Sequence, residues 1–179
     1  LKSPAASGQV LFASERVELH LDDGRLAVDA VYHLRNPSPD AQTVSIEYPI
    51  LVSRQSPAPT SVLVDGRPLP VSAGAPGQVS VRFPIALAPH DLRSFAIRYE
   101  QPLSGRSASY LVTSARRWPA PLERAVFVID HPASWRKVHV SYPVRALETG
   151  GGRTRLTLAE QPFLPDHEVT VRWQAPARR

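Results

Sequence analysis

Alternation with a period of two dominates the stretch Leu26–Ile50, LAVDAVYHLRNPSPDAQTVSIEYPI. Leu26, Val28, Ala30, Tyr32 and Leu34 share one face, opposite Ala27, Asp29, His33 and Arg35. Val44, Ile46, Tyr48 and Ile50 repeat the pattern against Thr43, Ser45 and Glu47. A repeat of two belongs to strands with one buried face, because successive side chains of a strand point to opposite sides. Between the two stretches, Asn36-Pro37-Ser38-Pro39-Asp40 breaks the ladder and favours a turn. The pattern predicts two long antiparallel strands joined as the central hairpin of a sheet that packs on a second layer.

The same period recurs along the chain. Val17, Leu19 and Leu21 face away from Glu18 and His20, and Asp22-Asp23-Gly24 is a hairpin turn signal. Val10 to Phe12 reads as a short edge strand. Further strands are predicted over 60–64, 78–83 and 93–100, then over 107–113, 123–130, 137–142, 153–158 and 168–174, with a Thr149–Gly152 hairpin loop. Nineteen prolines punctuate these runs, and helix signals are poor. The fold class predicted is all-β, an immunoglobulin-like antiparallel β-sandwich.

Two internal echoes bear on domain organisation. VSIEYPI, VSVRFPI and VHVSYPV each predict a strand that stops pairing at its proline, which has no N–H to give. LAPHD followed by SFAIRYEQP resembles FLPDH followed by EVTVRWQAP. The echoes predict two tandem sandwich modules, residues 1–103 and 104–179. One extended sandwich over the whole chain is the alternative.

A chain of 179 residues, 42% of them hydrophobic, can bury a core as one large domain or two small ones. With no cysteine there is no disulfide, thiolate metal site or thiol nucleophile. No run approaches the roughly 18 apolar residues of a membrane-spanning helix. The opening LKSPAASGQ, without Met, reads as a processed or trimmed form, with a loose lead-in at residues 1–8 and a frayed APARR end. Any signal or anchor lies outside this chain, and the expected location is periplasmic, cell-surface or secreted. Net charge is +5, with nineteen arginines against two lysines. GC-rich codon usage accounts for this balance, and attraction to anionic polymers is the functional counterpart.

Chemistry is sparse. The six histidines show neither H-x-H nor H-E-x-x-H spacing. His20 and His33 point outward from strands expected to pair across the 22–24 turn, as solvated side chains or as an adventitious divalent-metal pair. Asp130-His131 and Asp166-His167 are adjacent in sequence, which does not orient an acid on an imidazole. No Gly-x-Ser-x-Gly elbow occurs. Asp22, Asp23, Asp29, Asp40 and Asp65 lack the spacing of a calcium loop and read as turn and strand residues. No catalytic residue, metal ligand or cofactor is assigned.

Aromatic residues supply the candidate ligand site. Trp173 alternates with Val169 and Val171 and reads as core. Trp118 beside Arg116 and Arg117, and Trp135 beside Arg136, read as loop residues. Together they would make a stacking platform with cationic donors for sugar rings or anionic polymers. The alternative is that each indole caps the sandwich beneath its own loop. The basic residues are scattered rather than striped, so nucleic acid is not an expected partner.

Residues 17–70 resemble the vault protein inter-alpha-trypsin domain through AVDAVYHLRN, VSIEYPI and SVLVDGRPL. A family of exported bacterial domains of unknown function is similar over more of the chain. That similarity includes Gly8-Gln9-Val10-Leu11-Phe12 and SYLVTSARRWPAPLERAVFVI, Ser109 to Ile129. Both resemblances imply an exported β-sandwich and no assigned chemistry. The expected function is therefore a non-catalytic cell-envelope module, structural or interacting with another envelope protein. The alternatives are glycan or anionic-polymer binding through Trp118, Trp135, Arg116, Arg117 and Arg136, and an unrecognised hydrolase.

Overall fold

A computed structural model describes residues 9–175. The expected lead-in at residues 1–8 and most of the APARR end lie outside the described residues. The strands are β1 (Leu11–Asp22), β2 (Arg25–Arg35), β3 (Gln42–Leu51), β4 (Val62–Val64), β5 (Arg67–Leu69), β6 (Ser72–Ala73) and β7 (Gln78–Leu87). They continue as β8 (Leu92–Pro102), β9 (Ser107–Tyr110), β10 (Arg124–Pro132), β11 (Arg136–Val140), β12 (Ala146–Gly150), β13 (Arg153–Glu160) and β14 (Val169–Gln174). A short 3-10 helix, Thr113–Arg117, links β9 to β10.

The fold is an all-β sandwich. One layer is an eight-stranded sheet in the order β12-β13-β10-β1-β2-β8-β4-β5. The other consists of two three-stranded sheets, β6-β7-β3 and β9-β14-β11. Pairing is antiparallel except between β1 and β10, which run parallel with His20 opposite Asp130. That pair carries the large sheet across the boundary at residue 103, which falls just after β8. A single cluster of buried residues runs from Val10 to Trp173.

Alternation sets the inward faces as the sequence predicts. Val17, Leu19 and Leu21, then Leu26 to Leu34, Val44 to Ile50, and Phe95, Ile97 and Tyr99 are all buried. The central hairpin is not formed, however. β2 pairs with β1 and β8, whereas β3 pairs with β7 in the opposite layer. Residues 36–41 carry the chain across the sandwich, and fully buried Asn36 fixes the crossing. Its backbone N–H donates to Asp91 O, its Nδ2 donates to Asp40 O and Ala88 O, and its Oδ1 accepts from Ser38 N. These bonds offset the desolvation of the buried amide, and the crossing lets two apolar faces meet.

The proline rule also fails in two of three places. β3 continues through Pro49, opposite Ser80, and β7 continues through Pro84, opposite Ser45. β3 is an edge strand, and β6 covers β7 only at Val79 and Ser80. Neither proline therefore has a partner on its far side to deprive of an N–H. Val10 to Phe12, expected at an edge, leads into β1 in the middle of the large sheet.

The three sheets converge on three tyrosines. Tyr32 of the large sheet, Tyr48 of β3 and Tyr110 of β9 join their hydroxyls in a triangle with sides of 3.1, 3.0 and 2.5 Å. Phe12, Phe95 and Tyr99 pack their rings around this triangle.

Candidate functional site

The aromatic platform expected at Trp118 and Trp135 does not form, because both indoles are core. Trp118 is 5% exposed and Trp135 6%. Glu168 accounts for the first. Its carboxylate accepts from the N–H groups of Val112 and Thr113 and from the Thr113 hydroxyl. This anchors the 3-10 helix and turns Trp118 inward onto Phe12, 5.6 Å between ring centroids. Trp135 lies flat on Trp173, at 4.2 Å and 3°, with buried His131 stacked on its other face at 5.7 Å. Arg116, Arg117 and Arg136 are exposed above these loops. The two indoles belong to separate aromatic clusters, and neither presents an exposed stacking face beside Arg116, Arg117 or Arg136.

Polar chemistry gathers instead on the outward face of the eight-stranded sheet. The register aligns two rows across it. One runs Glu148, Arg155, Asp130, His20, Ala27, Glu100; the other runs Thr157, Val128, Glu18, Asp29, Arg98, Leu63. His20 does not approach His33, which pairs with Ser14 and accepts or donates at its hydroxyl. His20 Nδ1 lies 3.2 Å from Asp130 Oδ2, and its Nε2 lies 3.7 Å from Glu18 Oε2. Asp130 thus engages a histidine 110 positions away rather than its neighbour His131, whose ring points to the core.

Arg153 locks this arrangement. Its Nε donates to both Asp130 oxygens at 2.9 and 3.0 Å, Nη1 donates to Asp22 at 2.7 Å, and Nη2 donates to the carbonyls of Leu21 and Asp130. The bond from Arg153 holds the Asp22 carboxyl below the ordinary carboxylate value. Burial alone would raise Asp130, but the bonds from Arg153 and His20 outweigh it and hold that carboxyl low as well. Arg155 and Arg16 both pair with Glu18, and Arg98 pairs with Asp29 at 2.9 Å. Asp22 and Asp130 therefore remain ionised, and Glu18 and Asp29 each face an arginine.

An open depression of about 480 Å³ lies over β1, β2, β8 and the approach to β4, lined by His20, Asp29, Thr60, Ser61, Arg98 and Glu100. A second, of about 370 Å³, lies on the other side of Asp130 between Glu148, Gly151, Arg153 and Arg155. His20 and Asp130 form the ridge between them. The acid–imidazole pair at 166–167 is different. Exposed His167 stacks on Tyr142 at 4.2 Å and bonds to Asp166, while the Ser141 hydroxyl donates to Glu168 O. Among the described residues no group of three or more His, Cys, Asp or Glu side chains is arranged to hold a metal ion.

Sequence reading missed Glu18, Asp130 and Arg153 as one constellation. The parallel β1–β10 pair that assembles it has no local signature, although outward parity does mark Glu18, His20 and Asp22.

No protein-family model and no curated protein sequence matches the chain. Similarity appears at the level of structure. A candidate nutrient binding protein from Legionella pneumophila superposes with a TM-score of 0.65 at 8% identity, over 90% of this chain and 66% of that one. The M1 zinc metallopeptidase of Deinococcus radiodurans, bound to a Tyr-Ser-Ala substrate, gives 0.49 at 13% identity over 91% of this chain. The chain spans just under two thirds of the first protein and 42% of the second. At 8% identity the likeness to the Legionella protein is one of fold.

Proposed function

We propose that this chain is a non-catalytic, exported β-sandwich module that recognises another envelope protein through the outward face of its eight-stranded sheet. One observation carries the reading. A depression of about 480 Å³ opens on that face, and its lining includes the opposite charges of Asp29, Arg98 and Glu100, held in register by the strands. Such an array is pre-organised for a complementary charged surface, which favours specificity and fast association over raw affinity. The name of the Legionella neighbour is compatible with a binding role. Export rests on the resemblance of the sequence to exported domains.

The test is retention of a partner from a cell-envelope extract on immobilised protein, with Arg98→Glu as the matched control. Retention by the wild type and loss with Arg98→Glu is the expected result. Equal retention by both would remove the outward face from the account.

The Asp130–His20 pair at the rim of the depression favours one other reading, a hydrolase with an acid-oriented imidazole. Turnover of an ester, glycoside or peptide substrate that disappears in His20→Ala would establish it. The absence of any His20-dependent turnover is expected.

A further inference from the structure

Glu15 is a carboxylate where the alternation of β1 demands an apolar residue. It shares parity with Val17, Leu19 and Leu21, is only 6% exposed, and its Oε1 has no hydrogen-bond partner. It faces a cavity of about 10 Å³, where the large sheet meets β3, β9 and the 3-10 helix. Space of this size holds about one water-sized group.

The hydrogen-bond inventory of the cavity is lopsided. A hydroxyl has one proton, and the three bonds of the Tyr32–Tyr48–Tyr110 triangle need three protons. Every tyrosine proton is therefore consumed inside the triangle, and only lone pairs are left to turn elsewhere. Glu15 adds further acceptors. Among the described residues no Lys, Arg or His lines the cavity, and the Ser114 hydroxyl is the one side-chain donor left on its wall. Once Glu15 is ionised, the oxygen acceptors around a space for one small group suit a cation, because neutral water would leave the carboxylate charge unbalanced.

We propose that this cavity is a binding site for a water-sized monovalent cation, an ammonium group or an alkali-metal ion, held by Glu15 and the hydroxyl oxygens of Tyr32, Tyr48 and Tyr110. The site is separate from the outward face, and the proposal stands independently of the function assigned to that face. The cation competes with a proton for Glu15. Burial raises the Glu15 carboxyl from 4.5 to about 8, and among the described residues the titratable groups facing it are the tyrosine hydroxyls, whose own ionisation burial pushes still higher. Binding therefore strengthens as pH rises towards and beyond that value.

Thermal unfolding of the full chain tests this at a pH just above 8. Ammonium, potassium, methylammonium and choline chlorides are compared at equal ionic strength. Wild-type Tm is expected to be about 3 °C higher in ammonium or potassium than in choline, which is too large to enter. An equal rise in methylammonium assigns the site to the tip of an amine, and a rise confined to ammonium and potassium assigns it to free ions. Glu15→Gln removes the charge at constant shape and is expected to abolish the difference between salts. Tyr110→Phe breaks the triangle while keeping Glu15 and is expected to shrink it. Identical Tm values in all four salts, or an undiminished difference in Glu15→Gln, would overturn the proposal.

Discussion

Tyr32 and Tyr48 lie sixteen positions apart in the chain and meet hydroxyl to hydroxyl at 3.1 Å, one from each layer of the sandwich. They do not sit side by side in one sheet. Their contact therefore reports the closure of the two layers on each other. Tyr48→Phe keeps the ring and removes two of the three hydroxyl bonds. A loss of about 1–2 kcal/mol is expected, read as a lower urea midpoint with an unchanged m-value. An unchanged midpoint would mean that the triangle contributes nothing net to stability.

Glu15 sets the direction of the pH dependence on the alkaline side. Its folded-state value of about 8 exceeds the unfolded 4.5, so the folded protein retains a proton that the unfolded chain has released. Stability from this group is fully present below pH 4.5 and is lost as pH rises through about 8. Glu15→Gln does not titrate. In choline chloride the variant is expected to gain on the wild type across that window, by up to about 5 kcal/mol. Parallel stability curves for the two proteins would show that Glu15 is solvated.

The Trp135–Trp173 stack has a spectroscopic consequence. Two indoles at 4.2 Å and 3° are placed to couple their transitions, and a paired positive and negative band in circular dichroism is expected, which Trp135→Phe removes. Acrylamide is expected to quench all three tryptophans weakly in the folded state. Trp135→Ala opens a cavity between His131 and Trp173 and is expected to cost about 3–5 kcal/mol. Strong quenching at Trp118 or Trp135 would return them to the surface.

On the outward face Arg153 serves two carboxylates that no other element could bring together. Arg153→Ala is expected to cost about 1–2 kcal/mol at neutral pH, a figure kept modest by partial exposure to solvent. Asp22 and Asp130 both titrate below the ordinary 3.8, so their pairing stabilises the fold above that pH and is lost as pH falls through their lowered values. The gap between wild type and variant should therefore narrow in acid. A constant gap down to the lowest pH would mean that Arg153 acts by packing alone.

How much of this was legible depends on the range of the interaction. Alternation is local, and it placed the inward faces of β1, β2, β3 and β8 residue by residue. Which strand each would pair with is not local. Residues 36–40 read as a hairpin turn because proline and Asx residues mark any reversal, and only the bonds from buried Asn36 to Asp40, Ala88 and Asp91 show a crossing between layers. β12 was invisible because Ala146–Gly150 is exposed throughout and carries no apolar period. Trp118 and Trp135 looked like surface residues because arginines flank them, yet one turn of chain suffices to bury an indole while its neighbours stay wet. Glu15 carried a legible warning: a charge in phase with Val17 and Leu19.

The parallel seam between β1 and β10 also governs how the chain can fold. Its partners keep a constant offset of 110 positions, from Ser14 with Arg124 to His20 with Asp130. β1 can zip onto β2 as soon as both exist, but its other flank must wait for a segment two thirds of the chain away. Contacts of such long sequence separation pay their loop entropy before any reward, which slows folding. During synthesis, β1 and β2 therefore emerge well before β10, leaving a bare strand in what will become the middle of the sheet, an edge that other chains can reach until β10 arrives.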